Sequence, residues 1–345
     1  MDEVQMVRFD KITFVTPLTN VMVKENENWE TIIKNGTIVR MRFMQKVPCL
    51  ITLDANYQDG EFKVEFTGRI LKDDYPLLIN RLTIRKCLNA INQIGVCRMD
   101  IERVLRDSTV LRCDVTQDVV GLNLSDFKKY VVSHIDNHRK WTCREFSRTD
   151  NIVVEKEVTT QRNKRRMCVY DKNEELAKRN NAPFLDWVES YNEIKRYYQS
   201  RIRFEYSLKT CSAIRQELDV QDCDIITVLN SQKNPICEFF KNVLRGDAET
   251  VPEVNTMKMY DKLNTLIVNN WDLNAIEKTI RQLYPKSYHS SYLDDYRRLI
   301  DAHQNSTASN KYDFTQMFND NCMDQRTVTE VDDNYWTYSM MINCQ

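Results

Sequence analysis

The chain is poor in the residues that build flexible and phosphate-cradling loops, with 6 Gly and 7 Pro in 345 residues. That scarcity excludes a Gly-rich nucleotide-binding loop, which needs several glycines at fixed offsets, and a long flexible linker. No two cysteines stand at C-x-x-C spacing, so a zinc ribbon or finger is not expected. The four histidines form neither a His-x-His pair nor an H-E-x-x-H motif. Met1 to Gln5 shows no basic run followed by an apolar core, so no secretory signal is read there. No apolar run reaches the roughly 18 residues of a membrane span. With 11 cysteines, an odd number, these absences lead to the expectation of a cytoplasmic protein with free thiols that act as small buried hydrophobes.

What is present is a chain that can fold. Hydrophobic residues make up 42%, enough for a core, and the length fits roughly two domains. Net charge is −1, but its distribution is uneven. Arg139 to Arg179 holds twelve Lys/Arg against seven Asp/Glu, whereas Tyr312 to Gln345 holds six acids and the single base Arg326. A basic middle and an acidic end fit either a nucleic-acid surface or ordinary surface variation.

The hydrophobic pattern changes period along the chain. Residues 1–72 form a β-rich N-terminal part: Asn35-Gly36 and Asp59-Gly60 are turn signals, and Phe62, Val64 and Phe66 alternate with polar residues. A helical stripe through Leu77, Leu82, Leu88 and Ile91 follows Asp73-Asp74-Tyr75-Pro76, with Gly95 as its stop. Residues 73–230 read as an α+β core, 231–304 as a helical region and 305–345 as an acidic tail. The fold class expected is α+β, with a central antiparallel sheet, flanking helices and a helical C-terminal part. In that helical part, Asp272–Tyr284 and Tyr288–Ala302 flank Pro285 as a candidate helix-turn-helix.

Three strands carry the candidate chemistry. On Leu111 to Val119, period two puts Asp114, Thr116 and Asp118 on one face. Two carboxylates on one face need a shared cation, so they suggest a divalent-metal or arginine site; the alternative is that Asp118 caps a turn while Asp114 pairs with a structural arginine. On Arg166 to Lys172, residues Arg166, Cys168, Tyr170 and Lys172 share a face. The segment is the second arm of a hairpin whose basic turn holds Arg162, Lys164 and Arg165. Tyr170 is either a β-forming residue with a snorkelling lysine beside it or a residue that meets a phosphate gathered by that turn. On Arg201 to Lys209, residues Arg201, Arg203, Glu205, Ser207 and Lys209 face opposite to Ile202, Phe204, Tyr206 and Leu208. Ser125 is expected to cap a helix running to about His138, with His134 and His138 one turn apart on it. Tyr191 and Tyr198 form an alternative tyrosine set on the helical stretch before Arg201.

Taken together, Arg112-Cys113-Asp114-Val115-Thr116, then Tyr170-Asp171-Lys172 with Glu175-Leu176, then Arg203-Phe204-Glu205, resemble rolling-circle replication initiators of the filamentous-phage gene II/X type and related plasmid Rep proteins. The resemblance covers about residues 60 to 230. It implies a nickase on an α+β domain, with Tyr170 as the nucleophile that becomes joined to DNA. Lys172 would favour the phenolate, and Mg²⁺ or Mn²⁺ would be held by Asp114 and Glu205, with Asp118 as a further ligand. Arg162, Lys164, Arg165, Arg166, Arg201 and Arg203 would hold flanking phosphates. Implied partners are single-stranded or supercoiled origin DNA and the host replication machinery, with no membrane and with room for a homodimer. The chain departs from the His-hydrophobe-His endonuclease pattern, so metal ligation would fall to carboxylates. A non-catalytic DNA-binding initiator or repressor is the alternative.

Overall fold

The computed structural model describes residues 7–24, 26–135, 140–146, 149–156, 165–244, 256–305, 312–314 and 316–318. Twelve strands occur among them: β1 (Phe9–Pro17), β2 (Val21–Val23), β3 (Trp29–Lys34), β4 (Thr37–Phe43), β5 (Leu50–Asn56), β6 (Glu61–Thr67), β7 (Cys97–Met99), β8 (Thr109–Val120), β9 (Trp141–Glu145), β10 (Ile152–Lys156), β11 (Arg166–Asp171) and β12 (Arg201–Leu208). Ten of these form one antiparallel sheet in the order β3-β4-β5-β6-β1-β8-β12-β11-β10-β9, and β2 pairs with β7. The protein is α+β with a helical C-terminal part. The β-rich N-terminal part is not a separate layer, because β1 pairs with β6 on one side and β8 on the other. The first described strand therefore lies at the centre of the sheet, beside the strands that carry the candidate chemistry.

The two faces of that centre have opposite character. One carries Cys113, Val115 and Val119 from β8, Met167 and Val169 from β11, and Ile202, Phe204, Tyr206 and Leu208 from β12, all buried. Helices Leu124–His134, Cys211–Leu218, Ile225–Leu229 and Pro235–Val243 supply the matching apolar side chains of the same core. Phe127 is its hub, with ring contacts to Phe204, Phe240, Tyr312 and Phe314 at 5.4–6.4 Å. The chain returns to this core late. Phe314 and Phe318 are buried in it, and the Gln117 side chain donates to the Phe318 carbonyl at 2.7 Å.

Several local expectations shift. Leu124–His134 is capped by Asn123, whose side chain accepts from the Asp126 N–H, and not by Ser125. The stripe after Asp73 starts in a 3₁₀ segment, Gly68–Leu77, and becomes α-helix only at Ile84, after Asn80 ties the Leu82 and Thr83 N–H groups into a turn. Gly95 ends that helix in the left-handed conformation (φ 85°), as a glycine stop should. Helices Met257–Val268, Leu273–Leu283 and Lys286–Asn305 share a small core of their own around Leu266, Ile276, Ile280 and Ile300. The expected helix-turn-helix pair is thus part of a three-helix unit. Among the described residues, no helix is long and apolar enough to cross a membrane.

Removing the hub ring leaves a cavity that its aromatic neighbours cannot fill. Phe127→Ala is expected to lower unfolding free energy by about 3–5 kcal/mol, measured by urea denaturation; a loss below 1 kcal/mol would show that this core does not rest on Phe127.

Candidate active site

The register of the central strands lays the polar face out in rows. Asp118, Arg203 and Tyr170 lie side by side across β8, β12 and β11. The next row is Thr116, Glu205, Cys168 and Val153, and the one after it Asp114, Ser207, Arg166 and Glu155. Extending the same register one residue puts Asn151 beside Tyr170, and Phe146 beside Asn151.

Arg203 is at the centre of this face and is fully buried. All five of its N–H groups are used. Nε and Nη2 grip the two oxygens of Asp118 at 2.7 and 2.9 Å. Nη1 donates to Asp10 Oδ1 at 2.9 Å and to the Tyr75 hydroxyl at 2.8 Å, and Nη2 also reaches the Tyr198 hydroxyl at 3.0 Å. A β-bulge between Phe9 and Lys11 lets adjacent residues of β1 serve the same face: Asp10 binds Arg203, and Lys11 binds Asp114 at 2.7 Å. Burial alone would raise the Asp10 carboxyl, but Arg203 and Lys172 hold it down to about 2.

Tyr170 sits next to this knot and donates its phenolic proton to Glu205 Oε2 at 2.8 Å. Burial, reinforced by the Glu205 charge, pushes the phenol well above its ordinary range. Glu205 is raised to about 7 by burial and by the nearby carboxylates Asp114 and Asp10. The bond pairs an acid that is reluctant to ionise, Tyr170, which keeps its proton, with a base poised near neutrality, Glu205. Both line a cavity of about 540 Å³, together with Phe146, Asn151, Arg166, Cys168 and Lys178.

Other expected site residues fall elsewhere. Asp118 and Arg203 are not an open metal ligand and an open phosphate contact; each neutralises the other inside the fold. Lys172 does not touch the Tyr170 hydroxyl. The strand ends at Asp171, whose side chain caps helix Lys172–Leu176, and the turn carries the ammonium onto Glu175 Oε2 at 2.6 Å. It also lies 5.6 Å from the Tyr170 ring centroid, over the ring. Burial alone would lower the Lys172 ammonium, yet Tyr75, Asp10 and Glu175 keep it above the ordinary lysine value. Arg201 lies over the Tyr197 ring at 4.0 Å, and Arg165 pairs with Glu217 at 2.8 Å. Arg166 faces the cavity with its buried Nε unmatched by an acceptor among the described residues. Arg162, Lys164 and His138 lie outside the described residues. His134 stacks on Tyr130 at 4.2 Å.

Among the described residues, no three His, Cys, Asp or Glu side chains gather as a metal-binding group. Asp114 and Glu205 are nevertheless two carboxylates on one face, close enough that Asp114 raises Glu205. Asp114 is already bridged by Lys11 at 2.7 Å, so a hard divalent cation, which commonly takes one or two protein carboxylates and completes its sphere with phosphate oxygens and water, would share this pair with that ammonium. Asp118, enclosed by Arg203, does not fit such a set. Asp10 and Tyr75 were not legible as partners of Arg203, lying 193 and 128 residues from it along the chain, and Tyr198, the alternative tyrosine, is a buried partner of Arg203.

The chain matches no protein-family model, no curated protein and no solved structure.

Two outcomes are expected. Asp118→Asn leaves a buried guanidinium without its counter-ion and should cost about 3–5 kcal/mol; equilibrium denaturation measures it, and a near-neutral result would contradict the burial of the pair. Glu205 behaves differently. In the metal-free folded chain it holds a proton up to about pH 7, against an ordinary value of 4.5, so stability falls as pH rises between those values. Glu205→Gln removes that loss. Its stabilisation relative to the parent should be small at pH 4 and grow to roughly 2 kcal/mol at pH 8, below the full shift because the carboxylate opens onto a cavity. A difference that stays constant from pH 4 to 8 in thermal melts would rule this out.

Proposed function

We propose that the chain is a DNA nickase and strand transferase that initiates rolling-circle replication through a covalent phosphotyrosine. The observation that carries this reading is the Tyr170–Glu205 hydrogen bond at 2.8 Å, set at the wall of a cavity also lined by Arg166 and Lys178. The motif resemblance of the three strands supports it independently. A tyrosine hydrogen-bonded to a carboxylate near neutrality, beside cationic side chains, is suited to attack on a phosphodiester.

In this reading the Tyr170 oxygen attacks a scissile phosphate of single-stranded or extruded origin DNA. The new Tyr–O–P bond forms as the bond from phosphorus to the 3′ oxygen breaks. Because burial disfavours a free phenolate, the proton passes to Glu205 during attack and is available to the departing 3′ oxygen. The products are a 5′-phosphotyrosine and a 3′-hydroxyl that the host replication machinery extends. The phosphodiester bond energy is retained, so the reverse step rejoins ends. Arg166 holds a phosphate oxygen, and Lys172 fixes the tyrosine rings and offsets charge from behind. Asp114 and the Glu205 oxygen not bonded to Tyr170 would hold Mg²⁺ or Mn²⁺, which would neutralise charge on the phosphoryl oxygens.

The test is incubation with supercoiled DNA of the chain's own replicon and either metal, followed by a denaturing gel and peptide mapping. A nicked circle with DNA attached to the Tyr170 peptide is expected. Tyr170→Phe should bind DNA without nicking it, and Glu205→Gln should nick about 10²- to 10⁴-fold more slowly. Nicking by Tyr170→Phe would move the nucleophile elsewhere, and binding without a nick by the parent chain would leave a non-catalytic DNA-binding protein.

A further inference from the structure

The hydrogen-bonded pair makes up only part of the lining of the 540 Å³ cavity, a volume within the roughly 300–1,000 Å³ range of small-molecule sites. The lining beside it, across the sheet from Tyr170, has a different chemistry. Phe146 is 42% exposed there and has no ring partner among the described residues. Asn151 stands between Phe146 and Tyr170. Its Oδ1 accepts from the Asp171 N–H at 3.3 Å, and nothing among the described residues accepts from its Nδ2. Val153 and Cys168 add apolar lining from the adjacent row, and Glu175 and Lys178 add charged lining. An open aromatic face, an amide with unused donors and an apolar floor, one residue spacing from the candidate nucleophile, are not what a bare phosphate needs. They are what a planar heterocycle needs.

We propose that this cavity is a nucleobase subsite: one base flanking the scissile phosphate, turned out of its stack, lies on Phe146 and donates its polar edge to, or accepts from, Asn151. The proposal rests on the nickase reading and adds to it the source of base selectivity at the cut. Stacking by itself is tolerant of sequence, so the selectivity resides in Asn151, while Phe146 provides most of the grip. The row arrangement fixes the reach. With the base between Phe146 and Asn151, the adjoining phosphate falls beside Tyr170, the next side chain across the sheet.

A randomised single-stranded DNA pool, incubated with Mg²⁺ or Mn²⁺ and the full chain, tests this through sequencing of the covalently captured ends. One flanking position should show a base preference. Phe146→Ala, a change at an exposed side chain, should slow capture about 5- to 100-fold, and Phe146→Trp should retain it. Asn151→Ala should flatten the preference with a smaller effect on rate. Capture with no preference, or with a preference unchanged in both alanine variants, overturns the subsite and leaves the nickase reading standing. A binding measurement separates the two readings. Phe146→Trp fluorescence should be quenched by a single-stranded oligonucleotide and much less by the same backbone without bases, whether or not nicking occurs. Equal quenching by both also overturns the proposal.

Discussion

Arg203 is the constraint on which the rest of the structure depends. A guanidinium taken wholly out of water is tolerable only if its charge is balanced and every N–H finds an acceptor. Here that requires Asp118 from the neighbouring strand, Asp10 from the strand beyond it, Tyr75 from the turn after the sixth strand and Tyr198 from the helix leading into its own strand. Four separate segments are thereby fixed relative to one another. The bulge in β1, the placement of Tyr75 over the sheet and the close of helix Tyr191–Tyr198 all serve this one cation.

The knot also sets the electrostatics of the site beside it. Asp10 stays ionised because Arg203 and Lys172 face it. Glu205 has no such cation bonded to it. Burial and the nearby carboxylates Asp114 and Asp10 raise it to about 7, against the hydrogen bond from Tyr170, which acts to lower it. One sheet face therefore holds one carboxylate near 2 and another near 7, each set by which neighbour the register supplies. The neighbouring lysine is spent on Glu175, which leaves Glu205 as the proton acceptor for Tyr170.

The opposite face explains why the polar one can be so crowded. Phe127, Phe204, Phe240, Phe314 and Phe318 form an apolar layer under the central strands. Burial of that layer holds the strands in register, and a one-residue slip would exchange the two faces entirely. The register that puts Tyr170 beside Arg203 is thus enforced largely from the other side of the sheet.

Period-two alternation made the central strands, their two faces and the α+β class legible in the sequence. The same alternation put Asp114, Glu205, Tyr170 and Arg166 on one surface, because side-chain direction along a strand is a local property. Whether a charged residue on that surface is open or enclosed is not local. Arg201 and Arg203 look alike in the sequence, yet one lies over the Tyr197 ring and the other is sealed by a residue 193 positions away. Phe146 and Asn151 carried no signal, since each gains meaning only from standing next to Tyr170 in the folded sheet. The sequence by itself determined which residues share a face; the tertiary structure alone decided which of them are neutralised and which remain free to act, because charge pairing depends on distance in space and strand order is not written in any single strand.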